Sequence, residues 1–516
     1  MQTTTTTIFI PYIWISSNFQ NSGIFSFNLK HLNFFLFECF LLCLIIFFFF
    51  YLLINKKKQY LNISIFFIFY LLFLIVNFND NKINLILNKS FIVDNVSNTF
   101  KLFLVGFFLI FLFFIKNQVK NSFSFTKENE FLNYFLLIFF FLIFLIHSFD
   151  LISFFLTIEA STFIIVALVF LQNYATSNKE AGFKFFFLHA LASSCFVLAI
   201  LIFLFLFKTT NYLTLLYYFL FSNIFFKIFT NFLCLNILSY FALISIFFFL
   251  MFKFSIFPCH FWIDSFYEGS SLLIILFYST IYKLAIICFY FKIFFFLFIK
   301  FDNIFFFFIL FSIMYGAHLA FLQKKIKRYW AFSTINNFGF FFFSTIFCNY
   351  FWGLQIGLFF LFVYFIMTFF FFLILFFTRN LLTGNLIFYI SQFTFLKNKY
   401  VIWLASILFL SLAGIPPFIG FFGKFFIFSG IVFINFFFVI LFFIFYSLIS
   451  AIYYLRILKQ IFFLQYVNSN YKFYFFISFY LKIIANIFFF FSIFSFFSTT
   501  FLFNLASLII KNLTTF

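Results

Sequence analysis

The chain has 516 residues, 66% of them hydrophobic and 8% charged. Soluble domains carry about a quarter charged residues, so a soluble globular fold is excluded, and runs such as FFLIFLFFI (107–115) do not alternate as a membrane β-barrel requires. The net charge of +20 would suggest nucleic acid in a soluble protein, but here Lys and Arg lie mostly in short connections between apolar runs, where membrane topology accounts for them.

From residue 32 onward, apolar runs of spanning length recur. Fourteen spans are predicted in chain order: 32–54, 60–77, 100–115, 131–147, 151–171, 183–207, 234–262, 270–291, 303–323, 330–349, 352–377, 401–427, 428–455 and 476–508. Residues 209–232 read as a surface stretch between spans. The fold class is therefore an all-α polytopic membrane protein. Lys and Arg concentrate after spans 1, 3, 9, 11 and 13, as in KKK (56–58) and KKIKR (324–328), while the connections after spans 4, 10 and 12 carry none. Connections after odd-numbered spans are thus expected on the negative side, with both termini opposite.

Phe alone supplies 126 residues, with many Ile, Asn, Lys and Tyr, the set that A/T-rich codons encode. A biased, organellar type of genome is expected, and most Phe positions read as apolar filler. The N-terminus, MQTTTTTIFIPYIWISSNF, lacks a basic signal region and an Arg-rich presequence. For a mitochondrial protein this implies synthesis inside the organelle. The seven cysteines, Cys39, Cys43, Cys195, Cys234, Cys259, Cys288 and Cys348, contain no C-x-x-C and read as small apolar residues rather than metal ligands. No Gly-rich nucleotide loop is present.

A charged side chain at mid-bilayer costs about 2.5–3.5 kcal/mol on insertion scales, which a long Phe/Leu/Ile run can absorb but does not explain. The charged or titratable candidates inside spans are Glu159, Lys184, Lys253, His260, Lys283 and Lys424. Each has an ordinary reading, a snorkelling lysine or a satisfied core histidine. Glu38, His147, His189, Lys227, Lys292 and His318 are assigned to that ordinary class, with Lys292→Ala expected to be near neutral. The arrangement is more telling than the single residues. Lys253 and His260 are seven apart, on one helix face. Pro258 between them breaks the helix, and free carbonyls at a break survive in a membrane only against protein or water. The same grammar recurs at Gly414, Pro416 and Pro417, followed by Lys424. Two interrupted spans in corresponding places point to inverted repeats with polar sites near mid-membrane.

The stretches KFSIFPCHFWIDSFYEGSSLLIILFYSTIYK (253–283), LSLAGIPPFIGFFGKFFIF (410–428), LQKKIKRYWAFSTINNFGF (322–340) and EAGFKFFFLHALASS (180–194) resemble the antiporter-like proton-pumping subunits of respiratory complex I. The resemblance covers about 130–460. It implies an N-terminal segment over 1–130 with spans 1–3, a first five-helix repeat over 131–291 (spans 4–8), an inverted second repeat over 303–456 (spans 9–13) and a C-terminal span within 457–516. It implies broken helices 7 and 12. It also implies a proton relay of Glu159, Lys184, Lys253, His260, Lys283 and Lys424. Lys424 stands where a sister branch typically carries Glu, which favours the chain 2 branch of the group. The stretch after YEG, SSLLI (270–274), departs from the Pro-rich pattern usual there.

The expected function is proton translocation across the mitochondrial inner membrane, driven by NADH oxidation and ubiquinone reduction elsewhere. No cofactor is expected in this chain. NADH, FMN, iron–sulfur clusters and ubiquinone are implied in partner subunits, and the partners are other membrane-arm chains and lipid. The alternatives are a stand-alone cation/proton antiporter of the same fold, a structural membrane scaffold with a vestigial relay, and a lipid- or glycan-modifying enzyme, for which only Asp264 and Glu268 would serve.

Overall fold

The computed structural model describes residues 84–86, 90–118, 125–171, 176–215, 233–294, 302–347, 350–377, 379–380, 389–396, 398–433, 437–463, 473–474, 479–493 and 495–514. The first two predicted spans, Glu38 and Lys227 lie outside these residues.

Lipid offers no hydrogen bonds, so a spanning backbone must satisfy its own, and an apolar run with few breakers does so as a helix. After a short hairpin of β1 (Asn84–Ile86) and β2 (Phe91–Val93), the chain forms α1 (Asn95–Gln118), α2 (Phe125–His147), α3 (Leu151–Phe170), α4 (Thr176–Phe207) and α5 (Leu233–Phe254). A short α6 (Ile263–Gly269) follows a break. Next comes a rod built from α7 (Leu272–Phe277), a π turn (Tyr278–Tyr282), α8 (Lys283–Phe289) and a second π turn (Tyr290–Phe294). The second half comprises α9 (Asp302–Leu322), α10 (Ile326–Phe347), α11 (Tyr350–Phe377), α12 (Lys399–Ala413), α13 (Ile419–Phe433) and α14 (Phe437–Phe463). Last come α15 (Phe479–Ile493) and α16 (Ser495–Thr514). Among the described residues, nine helices are long and apolar enough to cross a membrane, and α12, α13 and Thr499–Lys511 are shorter apolar helices.

Within the predicted C-terminal run 476–508, the described residues 479–493 and 495–508 are helical, and one predicted span end elsewhere shifts. The second half of the broken helix reaches Phe433, past the predicted end at 427, because 427–433 stays largely apolar. Helix α10 falls short on hydropathy, yet nearly all of it is interior: Ser333, Thr334, Asn336, Asn337, Ser344 and Thr345 are all buried.

Connections meet their own kind. On one face, Phe149 N–H donates to Ser90 O (2.9 Å), Phe91 bridges Ser148, and Asp150 bridges Asn211. These residues precede α1 or follow α2 and α4. On the other face, Lys325 bridges Tyr389, and β3 (Arg379–Asn380) pairs with β4 (Phe473–Tyr474). These follow α9, α11 and α14. Odd connections thus pair with odd and even with even, as alternating spans require. Helices α9 and α10 pack closely, and α10 also packs on α6, which joins the two halves.

Candidate functional site: two broken helices and their lysines

Helix α5 ends because Pro258 has no N–H to continue the ladder. Its last turn closes with Ser255 N–H on Phe252 O (3.1 Å) and Ile256 N–H on Met251 O (2.9 Å), with Ser255 left-handed at φ 60°. That is the Schellman pattern of helix termination. Helix α12 ends the same way. Gly414 is left-handed at φ 86°, its N–H reaches Ser411 O (3.1 Å), and Ile415 N–H reaches Leu410 O (3.2 Å). Phe257–Pro258 and Pro416–Pro417 are both cis. At the second break Gly420 is packed directly on the Ser411 carbonyl, so a side chain there has no room.

The freed carbonyls at each break face a lysine. Lys283 Nζ lies 3.4 Å from Phe254 O and 4.0 Å from the centre of the Phe338 ring. Lys424 Nζ donates to Ala413 O (3.0 Å), Leu412 O (3.3 Å) and Ser450 Oγ (3.1 Å). An ammonium at a helix C-terminus meets the negative end of the helix dipole and satisfies carbonyls that would otherwise be orphaned.

Lys253, in the last turn of α5, is wholly buried; its Nζ lies 3.8 Å from Glu159 Oε1 and 5.1 Å from the centre of the Phe249 ring. At 3.8 Å the pair is an ion pair without a hydrogen bond. The Lys253 carbonyl accepts from Tyr278 Oη (3.3 Å), in the first π turn. His260, just past the break, is buried against Tyr315, with ring centres 4.3 Å apart, and its Nδ1 has no hydrogen-bond partner among the described residues. The structure therefore brings Glu159 to Lys253, and Lys283 to the first break, with His260 on its far side. Lys424 belongs to the second break. Lys184 stands apart: it pairs with Glu180 at 2.5 Å on a half-exposed flank of α4, not with Glu159.

Between the two lysine sites runs a buried polar seam. Asn336 Nδ2 donates to Tyr453 Oη (3.3 Å), and Tyr290 Oη shares a proton with Thr345 Oγ1 (3.1 Å). The buried hydroxyls of Tyr267, Tyr282 and Tyr454 face the side chains of Thr334, Ser161 and Ser333, and the buried Tyr364 hydroxyl has no hydrogen-bond partner among the described residues. Tyr364 lies against Phe338, the ring that carries Lys283. An unmet buried hydroxyl costs about 1–3 kcal/mol, so a chain of hydroxyls and amides facing one another gives this seam its polar lining. Sequence reading missed this seam because 27 tyrosines in an apolar chain carry no individual signal.

Three residues assigned to the ordinary class are interior, as a core histidine is expected to be and a snorkelling lysine is not. His189 is buried against Trp262, with Nδ1 at 3.0 Å from Phe185 O and Nε2 unpartnered among the described residues. His147 is buried, with Nδ1 at 3.1 Å from Ile92 O. Lys292 does not snorkel. It is buried, 3.3 Å from Asp94 Oδ1, and donates to Ile146 O at 2.8 Å. The expectation that Lys292→Ala is near neutral does not survive that geometry, because an uncompensated buried carboxylate would remain.

At the opposite face, Glu268 at the end of α6 holds Lys325 and Arg328, and Lys327 donates to Ser270 O (2.5 Å). Burial alone would raise the Glu268 carboxyl, but the two cations outweigh it and hold it below the ordinary carboxylate range. Glu268, one of the two acids that an interfacial enzyme would use, is engaged in this latch, and Asp264 Oδ1 accepts from Ser265 N–H (2.7 Å). Among the described residues no group of three or more His, Cys, Asp and Glu is placed to hold a metal.

Comparison with known proteins gives a consistent picture. Residues 148–450 match the family model described as NADH:quinone oxidoreductase/Mrp antiporter, transmembrane. NADH-quinone oxidoreductase subunit N of Ruthia magnifica is 27% identical over 405 residues, covering 75% of this chain and 79% of the relative. NADH-ubiquinone oxidoreductase chain 2 of Marchantia polymorpha is 27% identical over 331 residues, covering 62% of this chain and 65% of the relative. Among solved structures, a chain of the archaeal membrane-bound sulfane sulfur reductase superposes with a TM-score of 0.78 at 17% identity, covering 92% of this chain and 97% of that one. A chain of respiratory complex I from Thermus thermophilus gives 0.69 at 19% identity, over 91% and 97%. A chain of the Mrp complex from Dietzia gives 0.70 at 14% identity, over 92% and 97%. At these identities the structural likeness establishes the fold.

Proposed function

Because this chain belongs to the NADH:quinone oxidoreductase/Mrp antiporter transmembrane family, we propose that it is a core membrane-arm subunit of respiratory complex I that moves protons through a buried Glu/Lys/His relay. The observation that carries the reading is the wholly buried Lys253 held 3.8 Å from Glu159 at the mouth of a helix break. Buried intramembrane charges are expensive and mark ion pathways, and this one is neither neutralised at the surface nor locked in a short hydrogen bond.

In this reading Glu159 holds Lys253 charged. When the carboxylate pairs elsewhere, Lys253 gives up its proton. Lys283, His260 and Lys424 continue the path, and the tyrosine and asparagine seam between the breaks supplies hydroxyls and amides. These groups titrate as a set, not singly. Lys184, now on Glu180, is assigned the outer end of the relay, where a neighbouring subunit covers α4. The two repeats take residues 131–291 and 303–456. The driving energy comes from NADH oxidation and ubiquinone reduction in partner subunits, which hold the FMN and iron–sulfur clusters. The A/T-biased composition supports a mitochondrial inner membrane setting.

The test is Glu159→Gln in the assembled complex, with NADH-driven proton uptake measured in vesicles. Uptake is expected to fall with assembly intact. Unchanged uptake would reject the reading and leave the structural scaffold.

A further inference from the structure

The ion pair of Asp94 and Lys292 is not used by the relay just described, and it has the properties of a site. The two side chains are 2% and 4% exposed, with Lys292 Nζ 3.3 Å from Asp94 Oδ1. They come from elements 198 residues apart in sequence: Asp94 precedes α1, and Lys292 lies in the second π turn of the enclosed rod. Asp94 Oδ1 also accepts from Ser97 N–H (3.2 Å), and the Asp94 N–H donates to Ser97 Oγ (3.0 Å). Lys292 also donates to Ile146 O, at the C-terminal turn of α2. Asp94 Oδ2 is buried and has no hydrogen-bond partner among the described residues.

Part of this arrangement is plain carpentry. Asp94 caps the N-terminus of α1, and Lys292 meets the carbonyl end of α2. Carpentry accounts for Oδ1 and for the ammonium. It leaves Oδ2 unexplained, because a carboxylate oxygen without a donor in a buried place is costly. It also leaves unexplained why the site sits in a π turn, a feature that recurs at functional positions in helices. The pair lies at the face shared by Ser148, Asp150 and Asn211, opposite the Glu268 latch. It stands nine residues along the same rod from Lys283, roughly 13 Å at helical rise. Cys288 and His147 are the titratable groups packed nearest to it.

We propose that Asp94 and Lys292 form the terminal proton-exchange site of the first repeat, at the face away from the Glu268 latch. The inference rests on the proton-relay reading. The Lys292 ammonium passes its proton to Asp94, and Asp94 Oδ2 releases it to water at that face. Lys292 is then reloaded by a proton from the Lys283 side, so one proton enters from mid-membrane and one leaves. No other reactant is needed.

Two conservative variants separate this role from carpentry. Lys292→Arg keeps the charge, the carbonyl contact and the pair, but arginine does not deprotonate in proteins. Asp94→Asn keeps a good helix cap but cannot carry a proton. Each is made in the full complex, and proton uptake is compared with NADH:ubiquinone reductase activity and with the amount of assembled complex. Both variants are expected to assemble while uptake through this chain falls roughly a hundredfold, the low side of what a positioned proton carrier contributes. Assembled variants with undiminished uptake would overturn the proposal. So would failure of both to assemble, which would assign the pair to structure alone. Glu159→Gln, run in parallel, separates the two hypotheses: if it abolishes uptake while Lys292→Arg and Asp94→Asn do not, the relay stands and only this site is lost.

Discussion

Ser255 and Gly414 stand 159 residues apart and terminate α5 and α12 with the same left-handed turn. The residues just before them, Phe254 and Ala413, present equivalent carbonyls, and each receives a lysine ammonium. The lysines are not equivalent. Lys283 arrives from the neighbouring rod, whereas Lys424 arrives from the continuation of the broken helix itself. Backbone symmetry and charge asymmetry are thus built into one pair of breaks.

Lys424→Ala is expected to abolish most proton uptake and to lower stability. It leaves Ala413 O, Leu412 O and Ser450 Oγ without their donor, at a cost on the order of 1–3 kcal/mol for the buried acceptors. Vesicle uptake and the melting temperature of the assembled complex check the two effects separately. Normal uptake would remove Lys424 from the relay.

Gly414→Ala should be damaging and Ser255→Gly benign. An alanine Cβ at 414 would meet the Lys424 chain at 3.0–3.5 Å, in a backbone conformation that disfavours a side chain. Serine already occupies that conformation at 255, and the roughly 1–2 kcal/mol of strain that glycine would relieve there is offset by loss of the Ser255 hydroxyl's bond to Phe254 O and by glycine's backbone entropy. Thermal melting should fall clearly for Gly414→Ala and stay near wild type for Ser255→Gly; equal falls would refute the account of the breaks.

Glu268→Gln should loosen the face that carries Lys325 and Arg328, by about 1 kcal/mol or less for a partly exposed network. A depressed carboxyl stabilises the fold above its unfolded value and loses that contribution as pH falls through its folded value. The wild-type melting temperature should therefore drop on acidification below the usual carboxylate range more than that of Glu268→Gln. High salt should narrow the gap.

Asp150→Asn is expected to stabilise the protein at neutral pH. Burial raises the Asp150 carboxyl from 3.8 to about 6, so its ionised form is penalised in the folded state. The sign is opposite to that of Glu268: the penalty is absent below pH 4, grows through pH 6, and is complete above it. Asparagine caps the start of α3 equally well. A melting-temperature gain at pH 7.5 that vanishes near pH 4 is the expected signature.

Much of this architecture was legible in the residues. Pro258 and the Gly414–Pro417 cluster marked the breaks because proline and glycine act on the backbone locally, and hydropathy marked the spans that flank them. Lys253, Lys283 and Lys424 stood out as charges inside or beside the interrupted spans. Lys292 did not, because it lies near the end of its span and its partner Asp94 is remote in sequence; hydropathy counts residues and is blind to such pairing. Helix α10 is the converse case. Its hydroxyls and amides lower its hydropathy, yet they are what makes it the interior wall between the halves. The π turns left no trace either, since an inserted residue in a continuous run of Tyr, Ile and Phe changes no composition.

Those two π turns have a mechanical consequence. The rod from Leu272 to Lys292 is enclosed by protein along its whole length, so a widened turn cannot relax outward into lipid. It behaves like a dislocation pinned in a crystal. Were such a fault to slip by one residue, the segment beyond it would rotate by about 100°, swinging Lys283 off the Phe254 carbonyl in a single click.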